Sequence, residues 1–92
     1  MRRIKWTRVA LRDLTRLYEF LVPVNRKAAA KTVQSLTSAS QKIIEQPRIG
    51  EQLEEFTGRE IRRLLVGRYE MRYELRPEDV FILRIWHTRE AR

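Results

Sequence analysis

The side chains with the clearest potential for chemistry lie in the last third of the sequence. His87 is the only histidine, and an imidazole titrates near neutral pH, which suits a general acid or base. Arginine guanidiniums bind phosphate or carboxylate groups through paired hydrogen bonds. A candidate site would therefore combine His87 with the arginines that stand near it in the chain, namely Arg59, Arg63, Arg84 and Arg89.

The same residues also admit a structural interpretation. A lone histidine just beyond a strand often packs or forms hydrogen bonds without being catalytic, and arginines on a sheet pair with acids on neighbouring strands, for example Arg72 with Glu60. Arg84 interrupts the most apolar strand, where an unpaired buried charge is costly. We therefore expect Arg84 to reach water or an acidic partner on the less covered face of the sheet.

The composition excludes several kinds of site. The sequence has no cysteine and one histidine, which rules out disulfide, thiolate, zinc–cysteine and histidine-rich metal sites. It has no glycine-rich phosphate loop, serine–histidine–aspartate set or recognisable pair of catalytic carboxylates. We expect neither a metal nor a cofactor. Aromatic residues beside basic groups could stack on nucleic-acid bases, but core positions fit them better: Trp6, Tyr69, Tyr73 and Trp86.

The length and charge favour one small soluble domain with an anionic partner. The 92 residues suit a single domain spanning 1–92, and no apolar run is long enough to cross a bilayer. The amino terminus lacks the apolar segment of a signal peptide, so we expect a cytoplasmic location. The net charge of +8, carried by residues 1–48, attracts nucleic acid, an anionic membrane surface or an acidic protein.

The first half of the sequence predicts a short strand and two helices. Residues 3–6 alternate polar and apolar, and Thr7 can cap a helix that begins at the next residue. Pro23 ends this helix, and Asn25 can cap a second one that stops near Gln46. The connection between the helices is short, which makes them an antiparallel hairpin.

The second half predicts a three-stranded antiparallel meander after an acidic loop over 51–58. Residues 69–75 alternate, so we expect one packed face and one wet face carrying Glu70, Arg72 and Glu74. Gly67-Arg68 fits a tight hairpin, and residues 81–86 are apolar enough for a central strand. The predicted fold is α+β in the order β-α-α-β-β-β, with the helices packed on one face of the sheet.

Short motifs occur in order over nearly the whole chain. The early ones are Trp6-Thr7, Ala10 with Asp13-Leu14, Tyr18, Asn25 and Ala28-Ala29. The later ones are Pro47-Arg48-Ile49-Gly50, Arg59-Glu60, Tyr69 to Tyr73, and Ile82 to His87 followed by Arg89-Glu90. Together they resemble the ParE-like branch of the RelE/ParE toxin superfamily.

This resemblance implies the toxin of a type II toxin–antitoxin system, of the kind linked to plasmid stabilization and growth inhibition. Its partner would be a cognate antitoxin with an acidic binding segment, which the positive charge of the chain would attract. The resemblance implies no membrane partner and no cofactor. ParE-like members inhibit DNA gyrase and block replication, whereas RelE-like members are ribosome-dependent mRNA endoribonucleases.

The residues favour the gyrase branch. Arg63 and Arg89 match two cationic positions of RelE-like ribonucleases, but Ile61 and Glu70 stand where basic residues would be expected. The sequence also stops at Arg92, before any terminal tyrosine. We therefore expect a gyrase inhibitor without an active site, whose toxic surface contains Arg59, Arg63, Arg84, His87 and Arg89.

Two other functions stay open at this point. His87 could supply the acid of an mRNA endoribonuclease acting with Arg63 and Arg89 on the ribosome. Alternatively, the chain could be an inactive toxin-fold scaffold that serves antitoxin binding and autoregulation.

Overall fold

Two helices pack on one face of a five-stranded sheet. The structure, a computed structural model, describes residues 1–90. The strand order is β1-β5-β4-β3-β2, with β1 parallel to β5 and the other neighbours antiparallel. In chain order the elements are β1 (Arg3–Trp6), α1 (Arg8–Leu21), α2 (Arg26–Glu45), β2 (Glu51–Gln52), β3 (Glu60–Val66), β4 (Tyr69–Leu75) and β5 (Asp79–His87). The predicted α+β class and the order of its main elements are confirmed, and neither described helix is long and apolar enough to span a membrane.

Both predicted helix caps form. The Thr7 hydroxyl accepts a hydrogen bond from the Ala10 amide at 3.1 Å, and the Asn25 side chain accepts one from the Ala28 amide at 3.0 Å. The Thr7 hydroxyl also donates to the Ile82 carbonyl at 2.9 Å. The start of α1 is therefore fixed to β5 as well as capped.

The core lies between the helix pair and the adjoining face of the sheet. Its fully buried members include residues from both helices and from the two central strands: Ala10, Leu36, Ile43, Met71, Tyr73, Val80, Ile82 and Ile85. Trp6 and Tyr69 pack against this cluster, and Trp86 is buried outside it. These aromatic residues serve packing, as the sequence favoured.

One predicted loop begins as a strand. Residues 51–58 were expected to be irregular, but Glu51 and Gln52 pair with Arg63 and Arg62 at the edge of the sheet. The Arg63 side chain also donates to the Glu51 carboxylate at 2.7 Å. Two residues are too few to show a strand period, so only the pairing with β3 reveals β2.

A two-residue turn joins β3 to β4 as predicted. Val66 pairs with Tyr69, and Gly67 has a φ of 61° while Arg68, like every non-glycine residue described, avoids positive φ. Positive φ at only the first central position is the geometry of a type II′ turn, which glycine adopts without a steric cost.

A β-bulge in β5 decides which side chains face the helices. Arg84 pairs with Arg72, but the next pair joins Ile82 to Tyr73, so Leu83 is an extra residue. Because of this insertion, Ile82 and Ile85 both enter the core, although three positions separate them. Arg84 is left on the opposite face.

Asp13 of α1 binds the strand just beyond the bulge. Its carboxylate accepts hydrogen bonds from the Ile85 amide at 2.9 Å and from the Arg84 guanidinium at 2.8 and 3.3 Å. Asp13 itself is 5% exposed. Arg84 thus finds the acidic partner that the sequence required, and the contact raises the pKa of its guanidinium through the hydrogen bond to Asp13.

The Tyr73 side chain connects the segment that follows α2 to the sheet by hydrogen bonds. Its buried hydroxyl donates to the Pro47 carbonyl at 2.8 Å and accepts from the Gly50 amide at 2.9 Å. A Cβ on Gly50 would lie 2.6 Å from the Arg63 carbonyl oxygen, so only glycine fits this approach. Burial raises the pKa of the Tyr73 hydroxyl.

The expectation of a wet second face on β4 is wrong. Glu70 is 1% exposed and Glu74 is 4% exposed, because neighbouring arginines lie against their carboxylates. Alternation along one strand shows that a face is polar, but it does not show whether long side chains from the next strands cover that face. On β4, arginine side chains cover the carboxylates of Glu70 and Glu74 and shield them from water.

Replacing Asp13 should destabilise the fold. We expect Asp13→Ala to lower the free energy of unfolding by about 3 kcal/mol, because it leaves the Ile85 amide and the Arg84 guanidinium without their acceptor. Asp13→Asn retains an oxygen acceptor and should cost about 1–2 kcal/mol. Urea denaturation measures both values. Glu19→Gln, at an exposed position on the same helix, should change stability by less than about 0.5 kcal/mol. Equal stability of Asp13→Ala and the unaltered protein would contradict the role of this contact.

Candidate partner-binding groove

A groove opens between the helix pair and the β3–β4 turn. Its volume is about 940 Å³. The apolar part of its wall consists of side chains from α1, α2 and the turn: Leu17, Phe20, Leu21, Ala28, Leu36, Val66 and Tyr69. The basic part consists of Arg16, Lys31, Arg68 and Arg89, and the polar residues Thr32, Ser35, His87 and Glu90 complete it. We call this feature the basic groove.

His87 lies half-buried in the wall of the basic groove. Its ring meets the Tyr69 ring edge to face, with 5.2 Å between the ring centroids. Nδ1 accepts a hydrogen bond from the Arg89 amide at 3.1 Å, and the His87 amide donates to the Glu90 carboxylate at 2.7 Å. The bond from the Arg89 amide occupies Nδ1, which leaves Nε2 as the nitrogen available to a partner.

The positive charge in the groove is only partly neutralised. Arg16 forms an ion pair with Glu90 at 2.7 Å. No ion pair within residues 1–90 involves Lys31, Arg68 or Arg89, all of which are exposed. Three cations beside an apolar wall can attract an amphipathic partner that carries acidic groups.

The other predicted site residues lie on the far face of the sheet. Arg63 pairs in register with Arg72, whereas His87 pairs with Tyr69, three residues along the same strand. An odd separation along a strand places side chains on opposite faces. Arg63 therefore does not converge with His87 and Arg89. Of the five predicted residues, His87 and Arg89 line the basic groove, whereas Arg59, Arg63 and Arg84 lie on the opposite face of the sheet.

Arg59, Arg63 and Arg84 each bind a carboxylate. Arg59 donates to Glu74 at 2.7 and 3.1 Å, Arg63 to Glu51 at 2.7 Å, and Arg84 to Asp13. Each hydrogen bond raises the pKa of its guanidinium. Each of these three arginines thus has a carboxylate partner within the chain.

Sequence reasoning missed most of the basic groove. Phe20 is 75% exposed at the end of α1, and Lys31 and Arg68 come from two elements that are distant in the chain. The available signal was Phe20, an aromatic residue outside the apolar stripe of its helix. Its neighbours across the groove could not be identified without the packing of the helices on the sheet.

Comparison with known proteins identifies the family. The model for the ParE toxin of type II toxin–antitoxin system, parDE, matches residues 4–92. The chain belongs to the ParE toxin family. A solved structure described as the chromosomal ParDE TA system from P. aeruginosa is similar to this ParE toxin, with 25% sequence identity and a TM-score of 0.79. The match covers 95% of this chain and 96% of that one. A search of curated proteins gives no match.

The family defines the general role of the chain. As a ParE toxin it belongs to a type II toxin–antitoxin system, and it has a cognate antitoxin as its partner. The resemblance seen in the sequence is thereby confirmed at the level of the family.

The ion pair between Arg59 and Glu74 gives a prediction about acid stability. The hydrogen bond from Arg59 holds the pKa of the Glu74 carboxyl below its ordinary value of 4.5. Its contribution is therefore present above that value and is lost as pH falls through the lower folded-state pKa. We expect Arg59→Gln to be less stable than the unaltered ParE toxin at pH 7, with the difference shrinking below pH 4.5.

Urea denaturation at a series of pH values measures this difference. Arg8→Gln, an exposed position on α1, is the matched control and should show no such convergence. If the stability difference between Arg59→Gln and the unaltered protein stayed constant at the lowest pH values measured, the proposed contribution of the Arg59–Glu74 ion pair would be contradicted.

Proposed function

We propose that this toxin inhibits DNA gyrase through a protein-binding surface, and that His87 and Arg89 at the basic groove belong to that surface. The observation that supports this proposal is the distribution of the candidate residues. Arg59, Arg63 and Arg84 are held by carboxylates, whereas Arg89 has no ion pair within residues 1–90. Family membership supports the choice of gyrase as the target.

The same distribution argues against ribonuclease chemistry. RNA cleavage needs an acid or base beside cations that contact the scissile phosphate. His87 and Arg63 lie on opposite faces of the sheet, so they cannot act together on one phosphate. A protein-binding surface needs no such convergence, so gyrase inhibition agrees better with the arrangement.

We further propose that the antitoxin binds the basic groove through an acidic amphipathic segment. The apolar wall would bury hydrophobic side chains, and Lys31, Arg68 and Arg89 would pair with carboxylates at the rim. Such a segment would cover His87 and Arg89 directly. Neutralisation would then follow from occlusion of the surface that contacts gyrase.

A supercoiling assay with purified toxin and gyrase tests the target. We expect the toxin to block supercoiling and to trap cleaved DNA, and Arg89→Glu to raise the concentration for half inhibition by about tenfold through charge reversal at the contact. Arg26→Glu is the matched control, because Arg26 is exposed on α2 and lies outside the groove.

Normal supercoiling without a cleavage complex would refute the gyrase proposal. In-frame mRNA cleavage on translating ribosomes, lost in His87→Ala, would instead identify a ribonuclease. Harmless expression without the antitoxin, at good protein levels, would favour an inactive scaffold.

Charge reversal in the groove tests the antitoxin proposal. We expect Lys31→Glu combined with Arg68→Glu to weaken binding of the purified antitoxin by about tenfold to a hundredfold, because like charges would face its acidic segment. Isothermal titration at two salt concentrations measures the change. Lys42→Glu, exposed on α2 outside the groove, should have little effect. An affinity unchanged by the double substitution would exclude this site.

A further inference from the structure

The sheet face opposite the helices carries a layer of basic side chains over buried acids. We call it the arginine face and define it by Arg3, Lys5, Arg59, Arg63, Arg72, Arg76 and Arg84. Strand register places Arg3, Lys5, Arg63, Arg72 and Arg84 on the face that the helices leave open. Arg59 and Arg76 join them through Glu74. It is separate from the basic groove, which lies on the helix side.

Within the described part of the chain, each acid beneath the layer contacts two cations. The Glu70 carboxylate lies 2.9 Å from Arg72 and 3.7 Å from Arg63. Glu74 repeats the arrangement with one close and one looser arginine: Arg59 at 2.7 Å and Arg76 at 3.5 Å.

The third acid, Asp79, lies at the edge next to β1. Its carboxylate is 3.4 Å from Arg3 and 3.9 Å from Lys5. Within residues 1–90 the three acids are thus each shared by two cations. Arg84 pairs with Asp13, and the seven cations of the face outnumber the acids that bind them. Glu51 is an additional, exposed acid that binds Arg63.

Acids and cations differ sharply in exposure. The side chains of Glu70 and Glu74 are 1% and 6% exposed, whereas those of Arg59 and Arg76 are 49% and 55% exposed. A guanidinium has five N–H donors, and these pairs use only some of them. The face therefore presents free N–H donors to the outside while its negative charge lies beneath.

Aromatic rings lie against several cations of the arginine face. The guanidiniums of Arg72 and Arg84 each lie 4.9 Å from the Trp86 ring centroid. Phe81 is flanked in the same way by Arg76 at 4.9 Å and Lys5 at 5.9 Å. These cation–π contacts cover the rings, and Trp86 is only 9% exposed.

We propose that the arginine face binds the phosphodiester backbone of duplex DNA without reading its sequence. Rows of exposed guanidiniums match closely spaced phosphates, to which they can donate paired hydrogen bonds. Single-stranded nucleic acid is recognised largely by stacking of bases on aromatic rings, and here cations cover the rings. The bases of duplex DNA are already stacked on one another, so binding to its backbone needs only cations that contact the phosphates.

This proposal goes beyond inhibition of gyrase and does not depend on it. DNA binding by the arginine face can be measured with the toxin alone. If gyrase is the target, the face would hold the toxin on the DNA that gyrase bridges. Failure of the supercoiling assay would leave the DNA-binding result unaffected, so the two proposals fail separately.

Salt dependence gives the expected magnitude. Contact with about four phosphates predicts a slope of roughly −3.6 for log affinity against log salt, which is a loss of about a hundredfold between about 50 and 200 mM. Fluorescence anisotropy with a labelled duplex of about 20 base pairs measures this slope. Two unrelated duplex sequences should bind equally, because no base is read.

Two double variants distinguish DNA binding by the arginine face from a general effect of net charge. Arg63→Gln with Arg76→Gln removes the looser partner of Glu70 and of Glu74 and leaves their closer partners, Arg72 and Arg59, in place. We expect about tenfold weaker duplex binding and a slope smaller by about 1.8. Arg26→Gln with Lys27→Gln removes the same charge from the exposed start of α2 and should weaken binding by less than about twofold.

A second variant should act in the opposite direction. Glu51→Gln removes the exposed acid that binds Arg63, so we expect duplex binding to become several-fold tighter. Glu19→Gln makes the same charge change on α1 and should have a smaller effect. Because Glu51 is 66% exposed, this variant keeps the test valid even if the arginine pair fails to fold.

Several outcomes would overturn the proposal. Equal losses in the two paired variants would show a general effect of net charge, and an unchanged slope in the arginine pair would exclude the face. Tighter binding of single-stranded RNA than of the duplex would assign the face to RNA. Binding of an acidic peptide with no binding of duplex would assign it to a protein.

Discussion

The carboxylate of Asp13 is the interaction on which the arrangement of this toxin depends. It joins α1 to β5 at the bulge, where the Ile85 amide and the Arg84 guanidinium both donate to it. Within residues 1–90, β1 pairs with β5 only as far as Ile82, so the Ile85 amide has no strand partner on that side, and the buried Asp13 carboxylate supplies its acceptor. From this point Ile85 turns into the core and Arg84 turns away from it. The next residues carry His87 into the basic groove.

The fold divides the positive charge of the chain into two groups. On the sheet face away from the helices, most cations lie over buried carboxylates and aromatic rings, so they are ordered and half-exposed. Around the basic groove, Lys31, Arg68 and Arg89 stand beside apolar side chains without an ion pair in the described part of the chain. The first arrangement suits a regular polyanion, and the second suits an amphipathic protein segment. A net charge of +8 would not distinguish them.

Much of the fold could be read from local signals. Thr7 and Asn25 are caps whose side chains bond the first turn of a helix, and Gly67 is a turn residue chosen for its backbone angle. Such signals involve residues a few positions apart, so the sequence displays them directly. The short strand β2 and the buried state of Glu70 were not readable in this way. β2 depends on its pairing with β3, and Glu70 is covered by Arg63 of β3 as well as by Arg72 of its own strand.

The sequence by itself determined both helices, the strands other than β2, the need for Arg84 to reach water or an acidic partner, and the resemblance to ParE toxins, which the family match confirms. The tertiary structure alone decided that Arg63 and His87 lie on opposite faces, and that Phe20, Lys31 and Arg68 share a groove with His87. The physical reason is the range of each interaction. Caps, turns and periodicity act over a few residues, whereas a groove or a charged face is formed by side chains that only sheet pairing and helix packing bring together.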